Sequence, residues 1–238
     1  MSYLKASVVV PAYNEEDYLG KALASLKNQS IEPFEIIVVD NNSTDKTVEI
    51  AKSYNVKIIK EHTQGLSYAR DKGFDEAKGD ILLRLDSDSV APTDWVERIT
   101  QEFEKDTELS TFSGSAVLIH PIFNFLFDFF CFYINDIFGY NSMLGPNFAL
   151  RKTAWEKIRG TTCDDNHKFH EDLDIAIHSQ QLGTYRRKLN LRVLTSNRRT
   201  AHPKSLISIY TYYHVKWRNT VFDKKHRKLS RRWWMRVL

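Results

Sequence analysis

Short apolar runs alternate with amphipathic stretches through the first ninety residues. Ala6-Ser7-Val8-Val9-Val10 reads as a buried strand that ends at Pro11-Ala12-Tyr13-Asn14. Leu19, Leu23 and Leu26 then recur at helical spacing, and Phe34 to Val39 forms a second apolar run. Asp40 to Asp45 is a polar turn, with Ser43 or Thr44 as the expected N-cap of a helix through Val48, Ile50 and Ala51. A third strand at Val56 to Ile59, a helix from Ser67 to Ala77 stopped by Gly79, and a fourth strand at Ile81 to Leu85 follow. That strand runs into Asp86-Ser87-Asp88-Ser89, after which Ala91-Pro92-Thr93-Asp94 opens another helix. Such an order predicts an α/β fold, a mostly parallel central sheet covered by helices and joined by right-handed crossovers. Ligands of such sheets sit at the carboxyl ends of the strands. Three polar turns fall there: Pro11 to Glu15, Asp40 to Asp45, and Asp86 to Ser89.

Side chains at i and i+2 of an extended chain point the same way, so Asp86 and Asp88 can both face a divalent cation or a sugar-nucleotide. The plainer reading is that Asp88 caps the turn and Asp86 is solvated. Further along, Glu171 and Asp172 precede the apolar helix through Leu173, Ile175, Ala176 and Ile177, where acids suit the helix dipole in any case. Ile122 to Tyr140 is rich in aromatics but contains Asn124, Asp128, Asn135 and Asp136, a poor pattern for a membrane span. Wound as a helix it has one narrow polar stripe and a broad apolar surface, which suits either core beneath the sheet or a ledge for a lipid-linked acceptor.

The net charge of +4 over 238 residues conceals an asymmetry, since residues 201–238 hold ten Lys/Arg and one acid, Asp223. There Tyr210, Tyr213, His214, Trp217 and Val221 repeat at helical spacing, followed by Lys224-Lys225-His226-Arg227-Lys228 and Arg231-Arg232-Trp233-Trp234. Cations mixed with indoles suit an anionic membrane surface; the competing partner is nucleic acid. Cys131 and Cys163 lie far apart without disulfide or zinc-ligand spacing, which fits a reducing compartment. Met1 to Lys5 lacks a signal-peptide pattern, so a cytoplasmic location is expected.

Val9-Val10-Pro11-Ala12-Tyr13-Asn14-Glu15-Glu16, Val38-Val39-Asp40-Asn41-Asn42-Ser43-Thr44-Asp45, Ala69-Arg70-Asp71-Lys72-Gly73 and Asp86-Ser87-Asp88 resemble, in order, the motifs of family 2 glycosyltransferases with the Rossmann-like GT-A fold. Gly145-Pro146-Asn147-Phe148-Ala149-Leu150-Arg151 and His170-Glu171-Asp172 are similar to the family's acceptor-side segment and its Glu-Asp motif. The resemblance covers residues 6 to 200. It implies a catalytic domain over 1–200, with a nucleotide-sugar half at 1–90 and an acceptor half at 91–200 that includes the aromatic helical insertion. A basic helical tail at 201–238 would touch the cytoplasmic face of a membrane, a reading preferred to nucleic acid because the family's acceptors are often lipid-linked.

The resemblance also implies roles. Pro11, Ala12, Tyr13 and Glu15 would line the base and ribose pocket, Asp40 would accept from a base N–H with Asn42 assisting, and Arg70 would reach the diphosphate of a UDP- or GDP-sugar. Asp88, with Asp86, would hold Mn²⁺ or Mg²⁺, and His202 would be a further ligand, while Arg198 and Arg199 could close over the diphosphate. Asp172 would be the general base of an inverting transfer, oriented by Glu171, with Gly145 and Asn147 on the acceptor side. Two other readings keep the architecture. A sugar-1-phosphate nucleotidyltransferase normally has a Gly-rich loop with Arg or Lys after the first strand, which Pro11 to Glu15 is not. A catalytically idle nucleotide-sugar-binding module at the membrane would not need both Asp88 and Asp172.

Overall fold

The computed structural model describes residues 4–117, 133–163, 168–196 and 214–237, the side chains of Ile134 and Trp233 excepted. The strands are β1 (Ala6–Ala12), β2 (Glu35–Asp40), β3 (Lys57–Lys60), β4 (Ile81–Arg84), β5 (Ser89–Val90), β6 (Leu109–Val117), β7 (Phe148–Arg151) and β8 (Thr184–Thr195). The helices are α1 (Leu19–Lys27), α2 (Thr47–Ser53), α3 (Leu66–Glu76), α4 (Trp95–Lys105), α5 (Ile134–Ile137), α6 (Lys152–Ile158), α7 (Glu171–Ser179), α8 (Lys224–Leu229) and α9 (Trp233–Val237). Residues 214–222 are helical as well.

One eight-stranded sheet runs β3-β2-β1-β4-β7-β6-β8-β5. The first four strands are parallel, as the alternation predicted. Beyond β4 the sheet is mixed: β7 is antiparallel to both β4 and β6, β6 and β8 are parallel, and β5 is antiparallel to β8. Fully buried Val8, Val10, Leu19, Leu23, Leu83, Trp95 and Phe112 form the core on one face of the sheet. Val9, Ile37, Phe74, Phe148, Trp155 and Ile175 form it on the other. Gly73 permits the close seating of α3, since a Cβ there would stand 2.3 Å from Val9 Cγ1. The cap of α2 differs from expectation. Asp45 Oδ1 accepts from the Thr47 amide (3.0 Å) and hydroxyl, because the helix begins later than Ser43 or Thr44 would require.

Helix α7 is buried along opposite sides. Ile175 and Ala176 pack with Trp155 and Ile158. Leu173 and Ile177 meet Tyr140, Val221 and Met235, with Phe138, Trp217, Leu229 and Trp234 around them. The described part of the basic tail is therefore packed on the body through its apolar side chains. Trp217 Nε1 donates to Asn135 Oδ1 (2.8 Å) and Tyr140 Oη to the Val221 carbonyl (3.1 Å). Lys224, Lys225, Lys228, Arg231, Arg232 and Arg236 remain exposed. Among the described residues no helix is long and apolar enough to cross a membrane. Cys131, most of the aromatic segment Ile122 to Tyr140, Arg198, Arg199, His202, Tyr210 and Tyr213 lie outside the described residues.

Candidate functional site

The carboxyl edge of β2, β1 and β4 gathers the predicted donor-side residues. Ala12 pairs with Asp40 across β1 and β2, and Val9 pairs with Arg84 across β1 and β4. Asn14 and Asn42 take φ of 53° and 68°, a left-handed conformation that Asn tolerates better than most residues, and so turn the chain where both strands end. The two turns are tied together. Asn14 Oδ1 accepts from the Thr44 amide (2.8 Å), and the Asn14 amide donates to Ser43 Oγ (3.1 Å). Pro11, Ala12 and Glu15 are buried, the Glu15 amide donates to Thr47 Oγ1, and the Tyr13 ring is 49% exposed. Asp40 is buried with Oδ1 accepting from the Ser43 amide (3.0 Å). Asn42 Nδ2 donates to the His62 carbonyl (2.8 Å). Its buried neighbour Asn41 clamps the next loop, donating to the Glu61 and Thr63 carbonyls and accepting from the Gly65 amide.

The residue that joins the two halves of the site is Arg84, to which the motif reading gave no part. Fully buried on β4, it donates from Nε (3.0 Å) and Nη2 (2.8 Å) to Asp86 Oδ1, and from Nη1 to Glu171 Oε1 and Asp172 Oδ1, both 2.8 Å. Its guanidinium lies 5.7 Å from the centre of the Phe148 ring. Arg70, also fully buried on α3, pairs with Asp71 and Glu171. In this structure it therefore holds carboxylates and does not reach toward open space, as a direct contact to a diphosphate would require. The sequence did carry a signal for Arg84. A guanidinium two residues before Asp86 in an otherwise apolar strand must find anionic partners, since an unpaired buried cation is too costly to keep.

The two acids that open α7 differ in environment. Burial pushes Glu171 up, but Arg84 and Arg70 outweigh it and hold the carboxyl down to about 2. Burial raises Asp172 well above the usual range, and the Glu171 charge beside it adds to the rise, with Arg84 opposing. Glu171 is thus fixed as an anion while Asp172 can take up a proton. Gly145 sits directly against this group: a Cβ there would lie 2.6 Å from Asp172 Oδ2.

Asn147, expected on the acceptor side, lies inside the body in this structure. It is fully buried, donates from Nδ2 to the Ser115 (2.7 Å) and Leu191 (2.8 Å) carbonyls, and accepts from Trp95 Nε1 (2.8 Å). It braces β6, β8 and α4 and presents nothing to an acceptor. Asp88 lies at the end of β8, where its Oδ2 accepts from Ser196 Oγ (2.7 Å) and its carbonyl from the Ser196 amide. Asp86 keeps 26% of its side chain accessible, and its Oδ2 receives no hydrogen bond from the described residues. Burial raises the Asp86 pKa, Arg84 opposes, and the Asp88 and Glu171 charges add to the rise. Two oxygen-donor acids that repel one another at a partly open strand end fit a hard divalent cation.

Comparison with known proteins places this geometry. Residues 7–121 match the model for glycosyl transferase family 2. The chain is 34% identical over 108 residues to the putative glycosyltransferase EpsH of Bacillus subtilis, covering 43% of this chain and 31% of that one. It is 36% identical over 119 residues to glycosyltransferase AglE of Haloferax volcanii, covering 47% and 36%. The match thus spans about a third of each relative's length. Among solved structures, the mannosyltransferase PcManGT of Pyrobaculum calidifontis, in complex with GDP-Man and Mn²⁺, superposes with a TM-score of 0.75 at 16% identity, over 94% of this chain and 66% of that one. S. aureus TarS in complex with UDP-GlcNAc gives 0.62 at 22% identity, over 82% and 56%. The sheet order, the helices that cover it and the structural superpositions agree: the chain has the GT-A fold, and its residues 7–121 are similar to glycosyl transferase family 2.

Proposed function

We propose that the protein is an inverting glycosyltransferase that moves a sugar from a UDP- or GDP-sugar to a hydroxyl acceptor, lipid-linked or a polysaccharide precursor. The observation that carries this reading is the Arg84 guanidinium, which binds the donor-side Asp86 and the acceptor-side Asp172 at once. Tyr13 offers an exposed ring face to a nucleobase, and the buried Asp40 carboxylate accepts from a base N–H. A base without that donor would leave the acceptor unpaired, at about 1–3 kcal/mol. Asp88, with Asp86, would hold Mn²⁺ or Mg²⁺, which when bound neutralises charge on the departing nucleoside diphosphate. Asp172, lifted in pKa and placed at the mouth of α7, takes the proton of the attacking hydroxyl. Glu171 stays ionised and fixes both arginines, so the base cannot swing away. Gly145 leaves the room in which Asp172 Oδ2 meets the acceptor. Direct displacement from the face opposite the diphosphate inverts the anomeric carbon.

The exposed cations of α8 and α9 support a peripheral place on an anionic membrane. Trp217 and Trp234 pack against the apolar cluster of the body, while Phe222 and Val237 keep exposed apolar surface beside these cations.

The test is incubation with a panel of nucleoside-diphosphate sugars, with the products resolved by chromatography. Release of nucleoside diphosphate that needs a divalent ion and is lost in Asp88→Ala supports the proposal. Formation of a nucleoside triphosphate on adding pyrophosphate would instead identify a nucleotidyltransferase.

A further inference from the structure

Behind the catalytic pair, on the inner side of the same helix, lies a second group of ligating side chains. Asp174 of α7 is fully buried and faces His226 of α8 and Cys163, whose ligand atoms and its own all lie within 4.8 Å of one another. His178, one turn further along α7, brings Nε2 within 3.5 Å of the same Asp174 Oδ1.

The hydrogen bonds around these atoms are arranged for a cation. His226 Nδ1 stands 2.7 Å from the Thr220 carbonyl, to which it can only donate, so in the neutral imidazole Nε2 carries the lone pair. That nitrogen stands 2.8 Å from Asp174 Oδ1, a separation at which a protonated ring pairs with the carboxylate and a neutral ring can share a cation with it. Neither atom has a hydrogen-bond partner despite the short separation, and His178 Nε2 is also unpartnered. Atoms that crowd one point without aligning a hydrogen bond are placed as ligands are around a shared ion. Asp174 Oδ2 is separately fixed by the Cys163 amide (2.8 Å), which leaves Oδ1 as the converging oxygen. A ligating histidine whose other nitrogen donates to a backbone carbonyl is the usual support of a metal site.

We propose that Cys163, Asp174 and His226, with His178 as the fourth ligand, bind a structural zinc-class cation distinct from the donor-side divalent ion. One sulfur, two imidazoles and one carboxylate favour a borderline-soft, tetrahedral ion, with bonds of about 2.0–2.3 Å that draw the present ligand spacing inward. Asp174 and His226 are fully buried, while Cys163 and His178 keep part of their surface accessible. The consequence is mechanical: the ion pins α8 and Cys163 to α7 two residues beyond Asp172. Sequence spacing hides such a set, because its ligands come from three separated segments.

The test is titration of the chelator-treated full chain with Co²⁺, read by visible and near-ultraviolet absorption. One equivalent should produce tetrahedral d–d bands and a thiolate-to-cobalt charge-transfer band, both removed by one equivalent of Zn²⁺. Cys163→Ser should abolish the charge-transfer band, His226→Gln should weaken binding at least tenfold, and Asp88→Asn and Cys131→Ser should change neither. Zn²⁺ should also raise the melting temperature of the unmutated protein, a reading that needs no variant. A folded chain that shows no charge-transfer band, or a band unchanged in Cys163→Ser, would overturn the proposal.

Discussion

Replacing Asp172 by Asn separates its chemistry from its place in the fold. The amide keeps the shape and can still accept from Arg84 Nη1 through Oδ1, now 2.8 Å away, but it cannot take a proton. Loss of a general base lowers kcat by about 10²–10⁴, equivalent to about 2.7–5.5 kcal/mol of activation free energy. Donor affinity should stay unchanged, because the donor-side contacts at Asp40, Asp86 and Asp88 are untouched.

Stability should move the opposite way. Burial and Glu171 raise the Asp172 pKa, so the folded protein holds that proton more tightly than the unfolded chain. Stability is therefore lost as pH rises from the ordinary carboxylate range through the folded value. Glu171 has the reverse sign, its contribution being present above its unfolded pKa and lost only as pH falls toward about 2. Each unit of upward shift at Asp172 opposes folding by about 1.4 kcal/mol once the group is ionised. A gain of about 1 kcal/mol raises Tm by about 2–4 °C in a chain of this size. Asp172→Asn should thus melt a few degrees higher at pH 8 while turning over poorly. In the unmutated enzyme kcat should rise with pH through the Asp172 titration and then level off. Steady-state release of nucleoside diphosphate, donor calorimetry and thermal melts on the same preparation check all three. Turnover within about tenfold of the parent, or a lower Tm, would refute the assignment of base and pKa together.

Three further substitutions probe the surroundings. Arg84→Met leaves Asp86, Glu171 and Asp172 without their shared cation and should destabilise by about 3–5 kcal/mol, with part of the loss recovered in melts at lower pH as the carboxylates protonate. Gly145→Ala places a methyl 2.6 Å from Asp172 Oδ2 and should lower kcat by about 10² with Tm little changed, since small displacements of a catalytic group have effects of that size. Asn147→Ala leaves Trp95 Nε1 and the Ser115 and Leu191 carbonyls unpaired, at about 1–3 kcal/mol each, so denaturant melts should shift strongly while the KM for acceptor in the remaining folded enzyme stays the same.

Periodicity made β1 to β4 and the first three helices legible because each is a local pattern: Val8 and Val10 on one face, or Leu19, Leu23 and Leu26 on one stripe. The turns that carry Asp40, Asp86 and Asp88 followed from parallel-sheet topology. What stayed hidden depends on pairing between distant segments. The antiparallel insertion of β7 between β4 and β6 has no local signature, and neither has the inward turn of Asn147 that follows from it. Arg84 is hidden within an apolar strand, because its partners lie 87 and 88 residues away. The tail read as a free amphipathic surface because composition shows the cations of residues 224–236 but not the apolar cluster that Val221 and Met235 enter with α7.

The central claim is a metal-assisted nucleotide-sugar site at the β2-β1-β4 edge that works with the Asp172 base. Its most direct measurement is calorimetric titration with UDP, GDP and their sugars in Mn²⁺, in Mg²⁺ and in chelator. Binding of one base class that requires the divalent ion, weakens in Asp88→Ala and persists in Asp172→Asn is the expected result. Equal binding of every base with or without metal, or no binding of any, would contradict the account.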